Sequence, residues 1–145
     1  MSTRLLSALV AVLFLSGCGG SDTAETTEDP GEIAFDLPEA NDSNVVGARA
    51  ILSYVDENRT RILVDGIDPA EPGSGGANPV QLTRGSCDEP GDVVARLPPL
   101  RNASSAATVE LGMAELQTNG YAIVVRLAGS AVNTEAIACG DVPGG

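Results

Sequence analysis

The side chains that carry most enzyme chemistry are scarce in this sequence. All eight basic residues are arginine, and the 145 residues include neither histidine nor lysine. Those two residue types supply most general bases near neutral pH, the Schiff-base amines and the phosphate-holding lysine of nucleotide sites. What remains is carboxylate chemistry from 20 acidic residues and thiol chemistry from three cysteines, Cys18, Cys87 and Cys139.

Cys18 follows a segment with the features of an export signal. Residues 1–17 contain a short n-region that ends in Arg4, a mostly apolar h-region from Leu5 to Leu15 and small residues before the cysteine. These eleven mostly apolar residues reach about 16 Å as a helix, roughly half of a bilayer core, so a permanent span is disfavoured.

The Leu15-Ser16-Gly17-Cys18 segment resembles the bacterial lipobox, in which the cysteine sulfur carries a diacylglyceryl group. The resemblance predicts that residues 1–17 are a lipoprotein signal peptide and that Cys18 is lipidated. The mature protein is then anchored in the cell membrane or outer membrane, on the extracytoplasmic side, because two or more acyl chains anchor stably. The alternative is an ordinary secretory signal with an incidental cysteine.

Cys87 and Cys139 then remain as an even number of cysteines in an oxidising compartment, which predicts one disulfide. A bridge between them would close a loop of about 53 residues and stabilise the fold by ~4 kcal/mol in the chain-entropy model. The alternatives are a redox-active pair or a thiolate metal site. However, CxxC spacing is absent and no histidine is present to complete a zinc shell.

Acidic loop residues offer another route to chemistry. If they converge, an enzyme or metal-binding protein using carboxylates is an alternative, although acids in surface loops are mostly only solvated. The candidates are Asp65, Asp68, Glu71, Asp88, Glu89 and Asp92.

The overall composition excludes other classes of partner. The net charge of −12 repels nucleic acid, and aromatic residues make up only 3% of the chain with no tryptophan, which leaves few stacking platforms for bases or sugars. We therefore expect neither nucleic-acid binding nor a cofactor.

Residues 18–44 are predicted to be the lipidated cysteine followed by an acidic, disordered tether. From Gly19 to Asn44 the chain holds eight acidic residues and no basic one, so charge repulsion favours an extended chain, and no EF-hand spacing is present. Within this segment Ile33, Phe35 and Leu37 alternate, which is also compatible with a short strand or with contact to the domain.

Residues 45–145 are predicted to be one all-β domain. Short β-branched and apolar runs alternate with turn residues at the spacing of an antiparallel sandwich or barrel. We expect a hairpin turn at Asp56–Arg59, a long loop through the glycine run at 73–76, and one helical turn at Met113–Asn119. The predicted strands are Val46–Tyr54, Thr60–Val64, Val80–Leu82, Val93–Arg96, Ala107–Leu111, Ala122–Leu127 and Ala136–Ala138.

Three segments of this domain resemble the Cu/Zn superoxide dismutase-like family. They are the run from Pro79 to Gly91 with its Gly85-Ser86-Cys87 landmark, the strand Gly120–Arg126, and the closing Ala138-Cys139-Gly140. The resemblance covers residues 46 to 142 and implies a Greek-key antiparallel β-sandwich of eight strands. It also implies that Cys87 and Cys139 occupy the disulfide positions of the family.

The metal ligands of the family are missing. Where it places copper-binding histidines this chain has Gln81, Thr83 and Arg126. Copper(II) prefers imidazole nitrogen, and zinc in this family also depends on histidine, so we expect no metal and no dismutase activity. The predicted function is a non-catalytic, membrane-anchored domain that binds an unidentified envelope protein or has a structural role in the cell envelope.

Arg126 has two alternative roles. With Gln81 and Thr83 it forms a polar patch at the former metal position, suited to an anion or to a carboxylate of a partner. Alternatively it pairs with a nearby acid on the sheet surface, such as Glu135.

Overall fold

The computed structural model describes residues 31–40, 48–66, 78–128 and 135–145. They form eight antiparallel strands in two four-stranded sheets, with strand orders β1-β2-β3-β6 and β5-β4-β7-β8, so the all-β prediction is confirmed. The elements are β1 (Glu32–Leu37), β2 (Ala48–Asp56), β3 (Arg59–Asp65), β4 (Val80–Gly85), β5 (Pro90–Leu97), β6 (Ser104–Val109), α1 (Met113–Thr118), β7 (Tyr121–Arg126) and β8 (Ala136–Asp141).

The core lies between the sheets because the strands alternate in the way that the sequence predicts. In β2 the small and branched residues Ala48, Ala50 and Leu52 are buried, and in β3 Ile62 and Val64 are. The second sheet contributes the apolar side chains of its inner face to the same cluster: Val80, Leu82, Leu97, Tyr121, Ile123, Val125 and Ile137. Each such side chain removed from water contributes about 1.5–3 kcal/mol, so this layer supplies most of the stability.

The β2–β3 hairpin is formed by the predicted turn. Asp56 accepts a hydrogen bond at Oδ1 from the backbone N–H of Asn58 (3.0 Å), and its Oδ2 accepts one from Arg59 Nε (2.7 Å). These interactions fix a tight reversal in which residues 57 and 58 form the turn. The hydrogen bond from Arg59, followed by that from Asn58, lowers the pKa of the Asp56 carboxyl.

The predicted boundary between tether and domain at residues 44 and 45 is too late in the chain, and the alternative of a short strand at Ile33, Phe35 and Leu37 is confirmed. Residues 32–37 form β1, which pairs along its whole length with β2, from Glu32 opposite Ser53 to Leu37 opposite Ala48. The physical reason is the alternation of Ile33, Phe35 and Leu37, which pack against the core while Ala34 and Asp36 between them are exposed. Residues 18–30 and 41–44 of the predicted tether lie outside the described residues, as does the predicted signal segment 1–17.

The segment after β1 links the two sheets. Cys139 N–H donates to the Pro38 carbonyl (3.1 Å) and Ala40 N–H donates to the Ile137 carbonyl (2.9 Å), antiparallel to β8. Gly140 permits this approach, because a Cβ built there would lie 2.6 Å from the Asp36 carbonyl oxygen. Residues 36–40 therefore close one side of the sandwich.

Strand directions define two ends of the molecule. The hairpin end contains the β2–β3 turn, the start of β1 and the start of α1, since a Cβ on Gly112 would meet the Glu57 carbonyl oxygen. The far end contains the start of β2 and the end of β3. It also contains the start of β8, because β8 pairs antiparallel with residues 38–40, which continue β1 toward the far end. Since β7 and β4 pair antiparallel in turn, Arg126 and Val80 also lie at the far end.

The helical turn predicted at Met113–Asn119 is confirmed as α1. Its Leu116 is fully buried, and Glu115 accepts a hydrogen bond from the hydroxyl of the buried Tyr121. Within the described ranges, no helix has the length and apolar character needed to cross a membrane.

Candidate functional site

The outer face of the second sheet carries the three positions singled out in the sequence. In β4 the side chains of Val80 and Leu82 enter the core, so Gln81 and Thr83 face the opposite side of the sheet. That outer side is also largely buried. Gln81 is only 5% exposed and Thr83 is fully buried, and Ala122, Val124 and Cys139 form a second apolar cluster.

Gln81 and Arg126 are in direct contact, although 45 residues separate them in the chain. Arg126 Nε donates a hydrogen bond to Gln81 Oε1 at 2.8 Å. The register of β4 against β7 produces this contact, because Gln81 lies opposite Val124, two residues before Arg126 on the same face. This contact joins two of the three positions of the predicted polar patch. The backbone carbonyl of Glu135 accepts a hydrogen bond from the N–H of Leu127, next to Arg126 (3.0 Å). Both roles considered for Arg126, anion binding in the patch and pairing with an acid, stay predictions.

Thr83 is held by a different partner. Its hydroxyl donates to the Ala122 carbonyl at 3.3 Å, across the β4–β7 pair. Thr83 therefore joins the same face as Gln81 and Arg126, but its hydroxyl proton is used within the sheet.

These side chains do not fit the copper ion that the family resemblance implies. The Gln81 oxygen already accepts from a guanidinium, which is a permanent cation and repels a metal ion. The amide and hydroxyl oxygens are also poor substitutes for the imidazole nitrogens that copper(II) prefers. The arrangement suits a satisfied polar network within a sheet.

The predicted disulfide between Cys87 and Cys139 is confirmed, with a Cα–Cα distance of 5.8 Å. It joins the turn between β4 and β5 to the edge strand β8. The same turn is held by a second contact, in which the Cys87 N–H donates to Asp141 Oδ1 at 2.7 Å.

An open cleft of about 520 Å³ lies beside this disulfide. Besides both cysteines, its walls include four acidic residues: Asp36, Glu39, Asp88 and Asp141. Of these, the sequence singled out only Asp88 as a candidate. Asp36 and Glu39 fall in the predicted tether, where the alternation of Ile33, Phe35 and Leu37 also allows a strand that places them in the domain.

The loop carboxylates do not converge among the described residues. Asp65 ends β3 opposite Ser104 at the far end of the first sheet. Asp88 and Glu89 lie in the β4–β5 turn of the second sheet, near the hairpin end, and Asp92 follows in the exposed β5. Asp68 and Glu71 are outside the described residues. Over the described ranges, no group of three or more cysteine or acidic side chains is arranged to hold a metal ion.

Replacing Arg126 with leucine is expected to lower the free energy of unfolding by about 1–3 kcal/mol, because the buried Gln81 oxygen loses a charged donor. The additional Gln81→Leu change should recover part of this loss, since no buried polar group is then left unpaired. Urea unfolding of both single variants and the double variant measures the coupling and separates this contact from the other interactions of Arg126.

The matched control is Arg96→Leu, an exposed arginine opposite Gln81 on β5, which should change stability by no more than about 0.5 kcal/mol. If the change in the free energy of unfolding of the double variant equals the sum of the changes in the two single variants, the hydrogen bond between Gln81 and Arg126 contributes nothing to stability.

Cys18, the predicted lipidation site, lies outside the described residues. No protein-family model, no curated protein and no solved structure matches this chain.

Proposed function

We propose that this chain is a bacterial lipoprotein of the cell envelope. Lipid on Cys18 holds it in the cell membrane or outer membrane on the extracytoplasmic side, and its domain is a superoxide dismutase-like Greek-key sandwich without catalytic activity. The domain binds an envelope partner or has a structural role there.

The anchor is supported by the sequence before β1. An apolar stretch too short to span a bilayer leads directly into Leu15-Ser16-Gly17-Cys18, and acidic residues follow. The disulfide between Cys87 and Cys139 is in keeping with an exported protein, because such bonds persist in oxidising compartments.

The dismutase-like fold is supported by the connectivity of the strands. Eight strands form two sheets of four, and the chain crosses from one sheet to the other between β3 and β4, between β5 and β6, and between β6 and β7. As a result, β6 lies beside β3 and β7 lies beside β4, the kind of non-sequential neighbours that a Greek key produces. The disulfide joins two of the three segments on which the resemblance depends, those that contain Cys87 and Cys139.

The observation that carries the non-catalytic assignment is the hydrogen bond between Arg126 and Gln81. Gln81 and Arg126 stand where the resembling family has copper-binding histidines. Here they are hydrogen-bonded to each other, and Arg126 is a permanent cation. Since the whole chain contains no histidine, no other residue supplies an imidazole ligand.

The test is metal analysis and a dismutase assay on the full protein purified from membranes. We expect less than one copper or zinc ion per ten molecules, before and after incubation with either ion, and no dismutase activity above a denatured sample. Stoichiometric copper, together with activity that a chelator removes, would show that the protein is an enzyme.

A further inference from the structure

We propose that the hairpin end of the sandwich is a membrane-contact surface, in which Tyr54 and Val55 rest in the headgroup region of an uncharged lipid bilayer. The proposal depends on the anchoring at Cys18 proposed above, and it adds an orientation of the domain on the membrane. The surface consists of Tyr54, Val55 and the adjoining Gly31.

The chain enters the domain in contact with Tyr54. Tyr54 N–H donates to the Gly31 carbonyl at 2.6 Å, and a Cβ built on Gly31 would lie 3.0 Å from the Tyr54 Cβ. Residue 32 then begins β1, which runs away from this point toward the far end. Any connection between a lipid on Cys18 and the domain must therefore arrive at Tyr54.

The length of that connection limits how far this end can move from the bilayer. Thirteen residues lead from Cys18 to Gly31, a chain that reaches at most about 45 Å when fully extended. An unconstrained chain of this length has a root-mean-square span of about 20 Å, shorter than the diameter of a domain of about 100 residues with a radius of gyration near 13 Å. Such a short connection gives the surface a high effective concentration at the membrane. Even a weak interaction with lipid is then enough to keep the surface in contact with the bilayer.

The exposed side chains at this point are of the kind that the interface favours. A register shift between Tyr54 and Asp56 interrupts the regular alternation of β2, and two successive side chains are exposed, Tyr54 by 54% and Val55 by 42%. Tyrosine is enriched at membrane–water interfaces, since its ring is apolar and its hydroxyl stays hydrated. The other tyrosine of the chain, Tyr121, is buried.

Charge does not explain an attraction to lipid here. The chain has a net charge of −12, and the nearest arginine in the turn, Arg59, forms an ion pair with Asp56 at 2.6 Å. The contact is therefore apolar, forms on uncharged lipid and persists at high salt. In this orientation Gln81 and Arg126, near the far end, are directed away from the bilayer toward the aqueous compartment.

The experiment uses the Tyr54→Trp variant of the full-length lipidated protein in phosphatidylcholine vesicles. Because the chain has no tryptophan, this side chain is the single reporter. A spin label near the headgroup should remove at least about half of its emission, and concentrated salt should leave this loss unchanged. The matched control is Val94→Trp, an apolar position that is 38% exposed on β5, an edge strand of the second sheet, whereas Gly31 precedes β1 at the edge of the first sheet that faces β8. It should keep nearly all of its emission.

Mass spectrometry of Cys18 on the same preparation separates the two proposals. If Cys18 is lipidated and the Tyr54→Trp emission is not quenched, or is quenched no more than that of the control, the membrane-contact surface is refuted and the anchor stands. If Cys18 carries no lipid, both fail. Emission that shifts with protein concentration but not with the lipid quencher indicates that a second copy covers the surface, which also refutes the proposal.

Discussion

Replacing Cys18 with alanine is expected to remove all acyl label from the protein and to shift it from the membrane fraction to the soluble fraction. The sulfur atom is the proposed attachment point for the diacylglyceryl group, and alanine offers no nucleophile for it. A single acyl chain binds membranes only marginally, with an association constant of about 10⁴ M⁻¹, whereas two or more anchor stably. The loss should therefore be close to complete.

Fatty-acid labelling followed by fractionation measures this effect, with high-salt and detergent washes of the membrane pellet. If the predicted signal of a variant stays uncleaved, its eleven mostly apolar residues would reach only about 16 Å as a helix, too short for a stable span, so high-salt and mild alkaline washes should extract the protein. The matched control is the Cys87→Ala, Cys139→Ala double variant, which removes two sulfurs and keeps Cys18. Acyl label persisting on the Cys18→Ala protein would show that the lipid is attached elsewhere, and the anchor would have to be reassigned.

Local sequence patterns were sufficient to predict most strands of the domain. The alternation in β2 and β3 and the turn residues between them act over a few positions, and the hairpin turn at residues 56–59 was predicted correctly for this reason. The same holds for α1, whose one helical turn is bounded by Gly112 and Gly120.

Local patterns leave β1 undecided between a tether and a strand. Ile33, Phe35 and Leu37 alternate as a strand should, but the acidic residues around them resemble those of the predicted tether. Whether such a strand forms is decided by its partner, β2, which begins eleven residues after Leu37. Pairing of this kind depends on tertiary context, which local propensity does not encode.

The candidate site also has a part that the sequence indicates and a part that it does not. The patch of Gln81 with Arg126 is one of two alternatives for Arg126, and only the family resemblance brings these two distant positions together, since nothing local to either residue indicates the other. The acidic cleft beside the disulfide was not anticipated, because it forms only when residues 36–40 pack against β8. A site built across elements becomes visible only with the fold.

Removing the disulfide is expected to lower the free energy of unfolding by about 4 kcal/mol in the Cys87→Ala, Cys139→Ala variant. The bond links residues 52 positions apart, so it strongly restricts the unfolded chain, and by the chain-entropy model a loop of this size is worth ~4 kcal/mol. That is a large part of the 5–15 kcal/mol that stabilises a typical domain, and the midpoint of thermal unfolding should fall by at least about 15 °C.

Urea and thermal unfolding of the variant and the parent measure this loss, each with and without a thiol reductant. Reductant should destabilise the parent to the level of the variant and leave the variant unchanged, because the variant has no bond to break. If stability falls by less than about 1 kcal/mol, the contacts around the bond, including the Cys87 N–H to Asp141 hydrogen bond, already hold the turn against β8 in both states. The chain-entropy estimate would then be wrong for this domain, because contacts in the unfolded chain would already hold the two cysteine segments together without the disulfide.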